Sequence, residues 1–462
     1  MSGAIREHAV TVIVSALSTL FAVTLILFTG VMTVAIDPEL VEESGTFRLV
    51  LLMVCCIFIV IALYVGAIVT ANTFATIIAG RLRSIALLRL IGATANRMRA
   101  RVAGEGLLMG LLGSVIGFVL AELLCFSATA IGPALGWLPT GRAYPLFDPV
   151  ALIALVVVVF TTWCAAWVGS RRVASVSPIE ATGAAVELTP NAAMRRTGRT
   201  VWSIILLVIG AALIALGLIV SVFSPFALFV SFVGGLFSFT GIVFGAHVVM
   251  PPVLRLVGRG FRGAPTATLA SANIARFPER SARSTIGLVI GVTLITMFAV
   301  ALESYRAMTL SYFAFDPSAE AALDQTLAVT TAIFTGLVGF SAIIAAVGMI
   351  NTLSLGVLQR TRELGLLRAL GFTGAQVRRM VMTESAQMVI AALGFGLILG
   401  VFYGWVAAQS LLGAQVGFAA PSVPWLLVCG VVVFGVALAL VASATPARRA
   451  VRVTPLTALA VD

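Results

Sequence analysis

Three acidic residues inside long apolar stretches are the first candidates for chemistry: Glu105, Glu122 and Glu384. An ionised carboxylate at the centre of a bilayer costs about 3 kcal/mol unless it is paired. We expect Glu105 and Glu384 to form structural ion pairs, with a role in coupling or in proton movement as the alternative. An arginine shortly before each of them in the chain is the expected partner: Arg99, Arg101 or Arg378.

The composition excludes several enzyme classes. The sequence contains no lysine, so all 29 basic residues are arginine. A P-loop needs a lysine at the nucleotide phosphates and imine catalysis needs an ε-amine, so we expect no cofactor in this chain. The two histidines, His8 and His247, are far apart in the chain. They therefore cannot build a histidine-rich metal site, and no catalytic nucleophile–base pair is expected around them. We expect the five cysteines to be buried apolar side chains: Cys55, Cys56, Cys125, Cys164 and Cys429.

The elements that must position these residues are membrane spans. Of the 462 residues, 60% are hydrophobic and only 10% are charged, far from the balance of soluble domains. Ten apolar segments are long enough to cross a bilayer as helices, which predicts an all-α, polytopic membrane protein with about ten transmembrane helices. These segments are 9–36, 48–79, 103–132, 149–169, 201–223, 225–251, 285–302, 326–357, 381–412 and 424–444.

Arginine placement predicts the orientation of these spans. With the N-terminus inside, every arginine except Arg48, Arg142 and Arg306 falls on the inner side. Short cytoplasmic loops carry the excess of positive charge, so both termini are predicted to be cytoplasmic in a bacterial cytoplasmic (inner) membrane. The outer loops carry acids instead, which predicts a solvated acidic rim or, alternatively, attraction of a cationic ligand.

The sequence also contains an internal repeat. Residues 72–105 align without gaps onto 351–384, and R-R-V-A-S-V-S-P-I-E-A at 171–181 matches R-R-A-V-R-V-T-P-L-T-A at 448–458. Each half is therefore predicted to hold one leading span and a three-span unit, so that two pseudo-symmetric four-helix repeats are joined by a two-helix hairpin. The predicted regions are 1–47 (first anchor helix and outer loop), 48–181 (first repeat domain), 182–269 (linker and hairpin), 270–325 (second anchor helix and short outer loop) and 326–462 (second repeat domain).

One loop of each repeat combines leucines and arginines at nearly helical spacing. The loop 84–97 and its counterpart 363–376 each predict a short amphipathic helix that ends at a glycine, Gly92 or Gly371. Such a helix beside a bilayer lies on anionic lipid or docks into a groove on a partner.

The string R-x-R-E-L-G-L-L-R-A-L-G-F-T at 360–373 and the two closing R-R segments resemble the FtsX-type domain of MacB-superfamily ABC transporter permeases. Ten spans with two such domains are similar to the bacitracin-exporter-like permeases. The large extracellular domain typical of those permeases is missing, because its place holds only residues 303–325.

This resemblance implies a non-catalytic permease subunit that binds two copies of a separate ABC ATPase, which holds the ATP and Mg. It implies export, extraction or mechanotransmission of an amphipathic substrate, such as a lipid, lipopeptide or antimicrobial peptide, at the outer leaflet. In the family the loop between the first two spans of each domain is the coupling helix. Carried over, the residues at the ATPase contact are Ser84, Leu87, Leu88, Arg89 and Gly92, and Glu363, Leu366, Leu367, Arg368 and Gly371.

Two other functions remain as alternatives. The first is a transmembrane regulator that transmits ATPase motion to an external cell-wall hydrolase, a sensor kinase or an extracytoplasmic accessory protein. The second is a proton-driven secondary transporter that uses Glu105, Glu122 and Glu384. Among other partners, we expect membrane lipids and do not expect nucleic acid.

Overall fold

A computed structural model describes residues 9–35, 45–80, 82–134, 141–145, 147–171, 197–261, 265–276, 278–313, 339 and 370–437. The regular elements within these ranges are all α-helices, and seven of them are long and apolar enough to cross a membrane. The prediction of an all-α polytopic membrane protein is therefore confirmed. The chain divides into two compact units, Met1–Ala185 and Val186–Asp462, which we call the first and second unit.

Among the described residues, the first unit contains four long helices and one short one. Thr94 caps the start of α4, and Asp148 caps α5 because its carboxylate accepts a hydrogen bond from the Val150 amide at 2.8 Å. Pro149 follows at the first helical position, where a missing N–H costs nothing. The helices are α1 (Ala9–Ala35), α2 (Gly45–Gly80), α3 (Leu82–Leu90), α4 (Ala95–Ile131) and α5 (Pro149–Gly169).

Helices α1 and α4 pack closely along their length. Gly113 and Gly117 of α4 meet the backbone of α1 so closely that a Cβ at either position would collide with Val12 or Ala16. Small residues permit this approach, and close van der Waals contact is a main source of helix association in lipid. The α1–α4 pair is therefore the packing centre of the first unit.

The second unit contains seven described helices. They are α6 (Thr197–Val220), α7 (Ala227–Phe244), α8 (Ala246–Arg259), α9 (Pro265–Arg276), α10 (Pro278–Phe313), α11 (Gly374–Val416) and α12 (Trp425–Ala437). Its most buried helix is α10, which packs along α11. Gly396, Gly400 and Gly404 of α11 likewise face α10 so closely that an added Cβ would collide with it. Each unit therefore pairs a leading helix with a glycine-faced helix.

One predicted span differs in the structure. The segment 225–251, expected as a single helix, is two helices: α7 ends at Phe244, and α8 begins at Ala246 after the single residue Gly245. The Ser203 hydroxyl of α6 donates to the Gly241 carbonyl at 2.7 Å beside this break. Pro251 and Pro252 follow inside α8, where neither can donate a backbone hydrogen bond.

The predicted number of ten spans is not tested in full. Besides the seven long helices, α2 contains a shorter apolar section, Ile59–Ala75, and α12 is a shorter apolar helix. The predicted span 326–357 lies outside the described residues, apart from position 339. The number of spans and the cytoplasmic location of both termini stay predictions.

Candidate coupling site

The predicted short helix of the first repeat is present as α3. Its inner face is fixed to the unit, because Ile85 and Ala86 are buried in an apolar cluster with Phe74 and Ile78 of α2 and Val102 of α4. Two helices that are predicted to span the membrane therefore hold α3 in place at one end of the first unit.

The outer face of α3 is also apolar, although it is exposed. Leu87 and Leu90 are more than half exposed, and Ile91, one residue past the helix, is 81% exposed. Leu88 lies between these faces and is half-buried. A helix that is already anchored through its inner face thus presents a second apolar surface.

A glycine turn separates α3 from α4. Gly92 has a φ of 101°, in the left-handed region that favours glycine. The Ala93 amide donates to the Leu88 carbonyl at 3.0 Å, the bond that closes a Schellman cap. Two residues later the Thr94 hydroxyl accepts from the Arg97 amide at 3.4 Å and starts α4. The helix and the glycine C-cap predicted from the sequence are both present.

The second repeat has the same turn. Gly371 has a φ of 97°, and Leu370 before it is 71% exposed, as Ile91 is before Gly92. Thr373 then caps α11 in a full capping box: the Gln376 amide donates to the Thr373 hydroxyl at 3.3 Å, and the Thr373 amide donates to Gln376 Oε1 at 2.9 Å. We call each exposed apolar residue, its glycine and the capping threonine an elbow.

The structure places part of the predicted coupling set. Ser84 and Arg89 belong to α3 together with the leucines, whereas four residues of the second set lie outside the described residues. Those four are Glu363, Leu366, Leu367 and Arg368. Leu90, Ile91 and Leu370 belong to the same predicted leucine-rich pattern, and all three are exposed. Contact with an ATPase stays a prediction for all of these positions.

The membrane acids have different surroundings. Arg101 Nε lies 3.6 Å from Glu105 Oε1, so the predicted ion pair of the first repeat is present. Glu122 lies on the same helix, 17 residues further along, and is half-buried. That separation is about 26 Å of continuous helix, so α4 does not bring these two acids together.

Glu384 is only 2% exposed, near the start of α11. Asn273 of α9 donates to its Oε2 at 3.4 Å, and one turn later Gln387 donates to the hydroxyl of Ser271 at 2.9 Å. No pattern in the sequence indicated Ser271 or Asn273 as partners. The predicted pairing of Glu384 with Arg378 stays a prediction.

Two further contacts concern the remaining polar candidates. The guanidinium of Arg99 lies 4.4 Å from the ring centroid of Trp167, a cation–π contact that joins α4 to α5. His247 is hydrogen-bonded through both ring nitrogens, to Thr200 at 3.2 Å and to the Phe244 carbonyl at 3.1 Å. The histidine is therefore a satisfied structural residue, as its isolation in the sequence indicates.

The cysteine prediction is partly wrong. Cys125 is buried and Cys164 is half-buried, but Cys56 and Cys429 are exposed; the side chain of Cys55 lies outside the part of the chain that the structure describes. Apolar residues of a membrane helix face lipid as readily as a protein interior, so an apolar neighbourhood does not establish burial. The part of the chain that the structure describes contains no group of three or more His, Cys, Asp or Glu residues placed to hold a metal ion.

Comparisons with known proteins give the family. The ABC transporter permease YknZ of Bacillus subtilis (strain 168) is 30% identical to this chain over 34% of this chain and 36% of its own length. The ABC transporter permease YtrF of the same organism is 31% identical over 28% of this chain and 31% of its own length. The macrolide export ATP-binding/permease protein MacB of Vibrio parahaemolyticus is 26% identical over 30% of this chain and 21% of its own length.

The matched segments thus span about a third or less of each of these relatives. The family described as FtsX-like permease C-terminal matches two stretches of this chain, residues 56–178 and 335–455, which together make up more than half of it. One stretch contains the elbow at Gly92 and the other the elbow at Gly371. The chain therefore belongs to the FtsX-like permease family.

Proposed function

We propose that this chain is the permease subunit of an ABC transporter and that two copies of a separate ATPase bind at its two elbows. The exposed apolar residue beside a left-handed glycine, found as Ile91–Gly92 and again as Leu370–Gly371, is the observation that carries the proposal. Equivalent sites in a repeat suit two equivalent partner subunits. ATP and Mg belong to the partner in this proposal.

The elbow suits a docking surface on energetic grounds. Burying a Leu or Ile side chain contributes about 1.5–3 kcal/mol, and Leu87, Leu90 and Ile91 are all available on the exposed side of α3. The inner face of α3 is already buried in the first unit, so little ordering of the helix is needed on binding. A partner groove that accepts these side chains would therefore be firmly attached to α2 and α4.

Each elbow continues directly into a long helix. The 37 residues of α4 and the 43 residues of α11 correspond to lengths of about 55 and 65 Å. A displacement at Gly92 or Gly371 would be carried by such a helix to the opposite end of its unit. This supports a mechanical mode of action, in which ATPase closure moves the far side of the protein instead of opening a central channel.

We infer that the cargo is an amphipathic molecule at the outer leaflet: a lipid, lipopeptide or antimicrobial peptide. The name of the Vibrio relative gives macrolide export for that protein, which is consistent with an amphipathic cargo for the family domain. The same motion would serve a regulator that acts on a cell-wall hydrolase or a sensor kinase, or that docks an accessory protein. The proposed location is the bacterial cytoplasmic membrane, with both termini on the ATPase side.

The test is to purify the tagged chain from its native membrane in mild detergent and to measure the stoichiometry and ATPase activity of what co-purifies. We expect an ATPase at two copies per permease. Ile91→Asp should lower its recovery at least about tenfold, since the loss of a buried apolar side chain exceeds 1.4 kcal/mol. Ile131→Asp, at an exposed position at the other end of α4, is the control and should leave recovery unchanged.

Other outcomes decide between the alternatives. Recovery of the chain alone, with no nucleotide-dependent activity, would overturn the proposal and favour a secondary transporter. Substitution of Glu105, Glu122 and Glu384 by Gln would then be the next step. Recovery of the ATPase without movement of any amphiphile in reconstituted vesicles would favour the regulator.

A further inference from the structure

The loop that follows α11 is held by a buried amide. Gly417 ends the helix with a φ of 77°. Gln409, which is buried in α11, donates from Nε2 to the Gly417 carbonyl at 2.7 Å and accepts from the Ala419 amide at 3.0 Å. One side chain thus satisfies two backbone groups of the loop.

Two more side chains complete this attachment. Trp405 of α11 donates from Nε1 to the Ala419 carbonyl at 2.8 Å. The Ser422 amide donates to the hydroxyl of Ser304 on α10 at 3.1 Å. Residues 417–424 are therefore joined to both helices of the central pair of the second unit, and they must follow any movement of those helices.

The attached loop presents apolar side chains outward. Phe418 is 75% exposed, although its ring is positioned by an edge contact with Trp405 at a centroid distance of 5.4 Å. Trp425 and Leu426, where α12 begins, are also largely exposed. We call residues 417–426 the aromatic loop.

The chemistry of the aromatic loop indicates what it binds. No charged residue occurs between Glu384 and Arg448, so the loop itself offers a ligand only apolar and uncharged polar contacts. The loop follows α11, which is long and apolar enough to span the membrane, and it includes Trp425, a residue type that prefers the membrane–water interface. An apolar, preorganised surface of this kind suits an acyl chain.

We propose that the aromatic loop is the substrate contact of this permease and that it takes the acyl chain of a lipid or lipid-like amphiphile. This rests on the proposed function and narrows its substrate class from amphiphiles in general to acylated ones. Helix α11 begins three residues after Gly371 and ends one residue before Gly417. The elbow of the second repeat is thus directly linked to the acyl-chain contact.

The experiment uses the full chain in vesicles of phosphatidylethanolamine and phosphatidylglycerol, with a small fraction of phosphatidylglycerol that carries a diazirine in the part of one acyl chain close to the glycerol. After illumination, the labelled peptides are identified by mass spectrometry. We expect labelling to concentrate on 417–426. The double variant Phe418→Ser/Trp425→Ser should lower it about tenfold, since two aromatic contacts are lost.

The control is a second exposed aromatic residue of the same unit. Phe223 is 82% exposed in the turn between α6 and α7, close to Ser221, which lies beside Gly413 of α11. Phe223→Ser should leave the labelling of 417–426 unchanged. Gln409→Leu keeps the aromatic residues but removes two of the bonds that hold the loop, and it should lower the labelling several-fold. Size-exclusion profiles like that of the wild type show that each variant is folded.

Three outcomes are distinguishable. Equal labelling of 221–226 and 417–426 would mean general exposure to lipid and would overturn the acyl-chain site. An ATPase that co-purifies and is stimulated, together with labelling elsewhere, would overturn the site and leave the proposed function standing. Concentrated labelling of the loop in a chain that binds no ATPase would support the site and contradict the proposed function.

Discussion

Helices α4 and α11 occupy equivalent positions in the two repeats, but they are covered by different neighbours. Each follows a glycine turn and packs through glycines against the leading helix of its own unit. Within the second unit, α11 also contacts α6, α7, α8 and α9. The large apolar side chains of α4 are mostly exposed along its whole length.

Polar side chains account for this difference. Three polar side chains of α11 form hydrogen bonds with serine hydroxyls: Gln387 with Ser271 at 2.9 Å, Tyr403 with Ser238 at 2.8 Å and Ser410 with Ser231 at 2.6 Å. When the gapless repeat alignment is continued along α4, the residues at these three positions are apolar and exposed: Leu108, Leu124 and Ile131.

The comparison shows why additional helices pack on one copy of the repeat and not on the other. Lipid tails are as apolar as leucine, so apolar contact alone does not select a partner helix in a membrane. A hydroxyl or amide that needs a hydrogen-bond partner does select one. The hairpin formed by α6 and α7 therefore packs on the copy that carries Tyr403 and Ser410. Four predictions test the shared and the differing features of the two copies.

The largest effect is expected where the two copies agree, at the glycine-faced pairs. Gly117→Leu would place a side chain against the backbone of Ala16, and Gly400→Leu would place one against the backbone carbonyl of Thr293 and the side chain of Thr296. Each should cost more than about 3 kcal/mol, since overpacking against backbone cannot be relieved by a rotamer change. Loss of the monodisperse folded peak in detergent is the expected observation.

The matched controls are glycines on the same two helices. Gly104 and Gly394 have open space where a Cβ would be placed, so leucine at either position should give a folded protein. A folded Gly400→Leu variant would show that the contact of α10 with α11 is looser than the glycines indicate.

The second effect concerns the elbows, which the two copies also share. Gly92→Ala and Gly371→Ala place a Cβ on a left-handed residue and should each lower the free energy of unfolding by about 1–2 kcal/mol. Gly430→Ala is the control, because Gly430 is a helical residue with open space at its Cβ. Thermal unfolding in detergent measures all three. Equal stability of Gly92→Ala and Gly430→Ala would contradict the strain argument.

These elbows show which features were predictable from sequence. A glycine after a leucine-rich turn is a local signal, so the C-cap at Gly92 followed from the sequence alone. The partners of Glu384 and Gln387 did not, because Asn273 and Ser271 are more than a hundred residues away in the chain. The break at Gly245 was missed because the apolar run continues through it without a change of composition.

The third effect concerns the feature in which the copies differ. Tyr403→Phe should cost about 0.6–1.5 kcal/mol, since it removes the hydrogen bond to Ser238 but keeps the ring. Leu124→Ala, at the equivalent exposed position of α4, should cost much less, because lipid replaces the lost methyl groups. In a double-mutant cycle, Ser238→Ala and Tyr403→Phe should show a coupling energy of similar size. Additive losses would mean that the hydroxyl pair does not attach α7 to α11.

The smallest effect concerns the caps of the two elbows. Thr373 and Gln376 satisfy each other's backbone amides, whereas Thr94 faces Arg97, whose side chain cannot accept a hydrogen bond. Gln376→Ala should therefore cost about 0.5–1 kcal/mol of stability at α11, and Arg97→Ala should cost close to nothing at α4. Chemical denaturation in mixed micelles measures both losses. It resolves a difference of this size only when the unfolding free energy of both variants depends on denaturant concentration as steeply as that of the wild type. Equal losses for the two variants would mean that the second elbow gains no stability from its capping box.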